Sequence, residues 1–91
     1  MDLVIKSVQD KSKHMKINIL FFGPLTDIAG VGSITMDGIT DTKMLTDVLG
    51  KIYPELNETK YAVSVNNEVI TDNTILTENC TVALLPPFSG G

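Results

Sequence analysis

The chain has 91 residues, 43% of them hydrophobic and 20% charged, which is enough for one small domain with a single core and excludes low complexity. A formal net charge of -4 argues against a general nucleic-acid binder, which needs a basic face, and fits an acidic carrier meeting a basic partner. One cysteine and one histidine exclude an internal disulfide and a Cys/His zinc site, and neither a signal peptide nor a membrane span of ~20 apolar residues can be read, so a cytoplasmic protein is expected.

Residues 1–14 read as an appendage, either an extension or an upstream-start segment, and residues 15–91 as the folded domain, with Met15 standing where a shorter protein would begin. His14, beside that junction, has no partner in sequence and is given no role. Residues 16–22, Lys-Ile-Asn-Ile-Leu-Phe-Phe, alternate as a strand with Ile17, Ile19 and Phe21 on one face and Asn18, Leu20 and Phe22 on the other. Apolar groups on both faces imply a central strand. Gly23-Pro24 breaks it, and a loop to Gly32 leads to a short strand over residues 33–36, closed by Asp37-Gly38.

Asp41 or Thr42 caps a helix whose apolar stripe is Met44, Leu45, Val48, Leu49 and Ile52, and Pro54 stops it at Tyr53. Gly50 inside that helix costs up to ~1 kcal/mol relative to Ala, so the last turn is expected to be weak or closely packed. Residues 61–65 form a strand, Asn66-Asn67 a tight turn that tolerates positive φ, and residues 68–70 the returning strand. A turn-rich stretch follows, with Ile75 and Leu76 as anchors, and residues 81–85 are the last strand. Cys80 stands at its start with no basic neighbour to activate it, and is expected to be a structural thiol.

The order ββαβ(β)β predicts an α+β domain in which a mixed sheet buries one face against its main helix. The economical solution is a ubiquitin-like β-grasp fold with the first and last strands parallel and central. After the last strand come Pro86-Pro87-Phe88-Ser89-Gly90-Gly91. The prolines end sheet pairing, Phe88 offers an apolar anchor, and Gly90 and Gly91 have no side chain to block a narrow channel. Six extended residues reach about 20 Å, enough to carry the carboxylate of Gly91 into a partner's active site.

From Lys16 onward the chain resembles the small, sulfur-carrying subunit of molybdopterin synthase, a ubiquitin-like protein. The resemblance is carried by Ile19-Leu20-Phe21-Phe22-Gly23, Ala29-Gly30, Tyr53-Pro54, Val65-Asn66 and, most specifically, the run from Val82 to Gly91 with its Pro-Pro-x-Ser-Gly-Gly ending. It implies that an adenylating, E1-like enzyme activates Gly91 with ATP and that a sulfur donor such as a cysteine desulfurase supplies sulfur. The resulting thiocarboxylate would serve the large synthase subunit in building the dithiolene from precursor Z for molybdenum cofactor biosynthesis. It implies no permanently bound cofactor, no metal, and no nucleic-acid or membrane partner, and it implies that the chain is the sulfur-donating, non-catalytic half of a two-subunit transferase.

The family presents apolar side chains on the sheet face away from the helix, and the matching positions are Phe22, Val69 and Leu85, with ordinary core as the alternative reading. Where the family often has Arg-Glu in the first loop, this chain has Thr26-Asp27. Two alternatives stay open: a ubiquitin-like modifier joined to lysines through Gly91, and a thiamine- or tRNA-type sulfur carrier. The proline pair and Phe88 favour the synthase subunit, because a tail that docks in one dedicated partner gains from a preordered exit.

Overall fold

The computed structural model describes residues 16–87. Strand β1 (Ile17–Phe21) is followed by a short helix α1 (Pro24–Ala29), strand β2 (Ser33–Met36), the main helix α2 (Thr42–Ile52), a 3-10 turn (Pro54–Glu58), and strands β3 (Ala62–Val65), β4 (Glu68–Ile70) and β5 (Thr81–Leu85). The strands form one sheet in the order β2-β1-β5-β3-β4. β1 and β5 run parallel, with Ile19 opposite Val82 and Phe21 opposite Leu84, and the other pairs are antiparallel. This is the expected mixed sheet, with the last strand at its centre.

Period-two alternation decides which side chains are covered. Ile17, Ile19, Phe21, Val82 and Leu84 turn to the helix side and are buried with Leu45 and Leu49 of α2, Leu25 of α1, Leu56 of the 3-10 turn, and Leu76. Phe21 meets the Tyr53 ring edge to face at 5.9 Å, which fixes the end of α2 against β1. Asp41, not Thr42, is the cap: its Oδ1 accepts from the Met44 amide at 2.8 Å. Thr42 is buried instead and ties the helix to the loop before β5, donating from Oγ1 to Asn73 Oδ1 and accepting from the Thr74 amide.

The expected helical stripe is narrower than its five residues. Met44 and Ile52 are exposed, and the buried side of the helix runs instead through Thr42, Leu45, Leu49 and Gly50. Of the two anchors expected in the turn-rich stretch, Leu76 is buried and Ile75 is 71% exposed. The two are adjacent in an extended segment that Leu76 N–H and Thr40 O join, so only one can face the core. Gly50 is closely packed, as its position in the helix requires: its carbonyl accepts from Asn57 Nδ2, and a methyl group there would run into the Asn57 side chain.

Residues 24–32 are not simply a loop. Pro24 occupies the first turn of α1, where its missing N–H costs nothing, Leu25 reaches the core, and Gly30 closes the helix in the left-handed region at φ 79°. Six residues are too few for periodicity to reveal a helix. Asn66 and Asn67 both take positive φ, 50° and 73°, and form the expected tight turn between β3 and β4. Cys80 is buried in the core cluster at the foot of β5.

Candidate functional site

The face of the sheet turned away from α2 is uncovered by any other described element. Across it, register aligns one row of side chains: Leu20 of β1 opposite Ala83 of β5, Ala83 opposite Ser64 of β3, and Ser64 opposite Val69 of β4. Within this row β5 and β3 thus contribute the two smallest groups, and larger ones flank them. The result is a shallow trough of about 230 Å³ lined by Leu20, Phe22, Ser64, Asn67, Val69, Thr81, Ala83 and Leu85. Its volume falls below the ~300–1,000 Å³ usual for small-molecule pockets, and its apolar flanks suit a protein side chain.

The structure brings Phe22, Val69 and Leu85 together on this trough. Phe22 and Val69 are exposed, whereas Leu85 is half-buried at the sheet's centre. None lies under the helix, so their reading as core does not hold. Sequence reasoning missed Ser64 and Ala83, which look unremarkable on a strand and become the floor only through pairing. Ser64 is 6% exposed, yet among the described residues its hydroxyl has no hydrogen-bond partner.

The strand that forms the floor also launches the tail. Pro86 is half-buried and Pro87 exposed immediately after Leu85, so the chain leaves the sheet beside the trough. The proposed tail residues Phe88, Gly90 and Gly91 lie outside the described residues, as does the segment 1–14.

In the first loop, Thr26 does not replace an arginine with another outward polar group. Its Oγ1 donates to the Phe21 carbonyl at 3.0 Å and closes the β1–α1 corner. Asp27 lines a separate concavity with Glu55 and Thr59, and among the described residues no cation lines it, so they build no anion contact of the family's Arg type there. Among the described residues no group of three His, Cys, Asp or Glu side chains could hold a metal ion, and no helix is long and apolar enough to cross a membrane.

A mixed sheet with parallel first and last strands, one face under a helix and the other open beside the outgoing tail, defines a ubiquitin-like β-grasp protein. Residues 19–91 match the ThiS family, and the chain belongs to it. It is 31% identical over 93 residues to the molybdopterin synthase sulfur carrier subunit of Arabidopsis thaliana, covering 97% of this chain and 96% of the relative. Among solved structures it resembles a protein-protein complex of subunits 1 and 2 of the molybdopterin-converting factor from Helicobacter pylori, with a TM-score of 0.65, 26% identity, and 85% of this chain and 100% of the matched chain covered. The fold is also that of the small archaeal modifier protein 1 from Methanosarcina acetivorans, with a TM-score of 0.69, 20% identity, and 86% and 98% covered.

Proposed function

We propose that this protein is the sulfur-carrying small subunit of molybdopterin synthase, with its open sheet face as the docking surface and Gly91 as its chemical site. The observation that carries the reading is the junction of the two: an apolar trough bearing Phe22, Val69 and Leu85 at the point where the Pro86-Pro87 tail leaves β5. Full-length similarity to a sulfur carrier subunit supports it, and so does similarity to a structure of two paired subunits. Phe88 adds an apolar anchor, and Gly90 leaves the tail narrow.

On this reading the Gly91 carboxylate attacks the α-phosphate of ATP in an adenylating partner, and pyrophosphate leaves. A sulfide equivalent from a sulfur donor then attacks the acyl carbon and displaces AMP, giving a thiocarboxylate. The large subunit receives the tail while its own surface covers the trough, and sulfur passes to precursor Z.

The shared fold of the small archaeal modifier protein keeps a second reading in view, conjugation of Gly91 to lysines. One experiment separates them: the purified chain is incubated with a molybdopterin-type adenylating enzyme, ATP and sulfide, and the carboxyl-terminal peptide is read by mass spectrometry. Exchange of one oxygen for sulfur at Gly91, lost when one residue is added after it, is expected. Isopeptide-linked lysines without sulfur exchange support the modifier, and an unchanged carboxylate defeats both.

A further inference from the structure

The corner between β1 and α1 is built closely around the start of the tail. Phe21 pairs with Leu84 in the parallel ladder, and the Phe22 amide donates to the Leu84 carbonyl at 3.2 Å. Extending that register by two residues sets Gly23 against Pro86, the first residue of the chain after β5 that has no amide to donate. Gly23 has φ 59° and ψ -140°, a conformation that side chains rarely adopt. A Cβ placed on it would stand 3.1 Å from Pro86 Cγ and 3.7 Å from Pro86 Cβ and Cδ. The proline ring thus rests on the bare backbone of Gly23. Three hydrogen bonds hold that backbone in place: the Thr26 amide to Gly23 O at 3.0 Å, the Leu25 amide to Phe22 O at 3.1 Å, and Thr26 Oγ1 to Phe21 O.

We infer that Gly23 is a positioning residue for the terminal carboxylate: it seats the Pro86 ring and so sets the direction in which the tail leaves the docking face. Positive φ alone explains a glycine here, but not the ring packed on it. The inference rests on the carrier reading, in which the rate of the chemical step depends on where the tail points, and a misplacement of about 1 Å can cost a hundredfold. Pro86 stiffens the tail locally; Gly23 ties that stiffness to the sheet.

The test is a double-mutant cycle of Gly23→Ala and Pro86→Ala in the full chain, read as kcat and KM for thiocarboxylate formation by the adenylating enzyme, with melting temperature measured in parallel. Each single substitution is expected to lower kcat about tenfold and leave KM within about twofold, because both change the aim of the tail and not the exposed surface of the fold. In the Pro86→Ala background, Gly23→Ala is expected to cost no further kcat, since Cγ and Cδ are gone and the methyl has nothing to displace. The fall in melting temperature from the strained φ persists in both backgrounds. Equal kcat losses from Gly23→Ala in both backgrounds, or none in either, would overturn the inference and leave Gly23 a folding residue.

Should Gly23→Ala not fold, Pro86→Ala is compared with Pro87→Ala, which loosens the chain equally without touching Gly23. A loss at least about fivefold larger for Pro86→Ala supports the seat, and equal losses overturn it. If the wild-type chain itself is never thiocarboxylated, the carrier reading falls and the inference falls with it; if it is converted and the variants match it, the inference alone falls.

Discussion

The two faces of the sheet come from the same strands and have opposite fates. On β1 and β5 the residues Ile17, Ile19, Phe21, Val82 and Leu84 are sealed beneath α2, while their neighbours Leu20, Phe22, Ala83 and Leu85 floor or flank an open trough. The open face also carries Asn18 and Thr81, but most of its side chains on these strands are apolar like the covered ones. What differs is the cover: one face is closed by this chain's helix, and the other has no described element over it. Exposed apolar area of that kind, with a small-residue floor, is what the proposed docking of a second protein would cover.

The contrast makes substitutions at neighbouring positions separable. The largest expected effect is on the covered side, where Leu84→Ala should destabilise the domain by about 2–5 kcal/mol, because a fully buried leucine leaves a cavity that its neighbours fill only in part. Chemical denaturation measures this, and an unfolding free energy within about 1 kcal/mol of wild type would erase the distinction between the faces. One residue later, Leu85→Arg should leave the denaturation midpoint nearly unchanged and weaken binding of the large synthase subunit by about 2 kcal/mol or more, as for a central anchor of an interface. Titration calorimetry reads the affinity, and a stability loss without an affinity loss would return Leu85 to the core.

The smallest effect sharpens the margin of the covered face. Tyr61 packs at the edge of the core, and burial raises its phenol above the ordinary 10.0. With the folded-state value raised, the unfolded chain ionises first, so Tyr61's contribution is fully present below pH 10.0 and declines as pH rises through the interval up to the folded value. Tyr61→Phe should flatten that alkaline decline in thermal melts. An identical pH dependence in the variant would mean that another group governs it.

How much could be read from the chain differs from residue to residue. Alternation over residues 16–22 was strong enough to assign Phe22 to the outer side, and turn chemistry at Asn66-Asn67 to place a tight hairpin, since both signals are local and steric. Helix α1 escaped because one and a half turns leave no period to detect, and Ile75 was mistaken for an anchor because composition cannot say which of two adjacent apolar residues turns inward. Gly50 stood out by propensity, but its partner Asn57 came into view only in three dimensions.

The sequence by itself determined the strands and the main helix, the end of sheet pairing at Pro86-Pro87, and the Gly-Gly ending, because each follows from backbone preferences of single residues or from a repeating period. Only the tertiary structure decided that Ser64 and Ala83 floor a trough between Leu20 and Val69, and that Pro86 rests on Gly23. Those juxtapositions join residues far apart in the chain, as for Leu20 and Ala83 or Gly23 and Pro86. Strand register sets them: a shift of one residue would turn every side chain of the row to the other face.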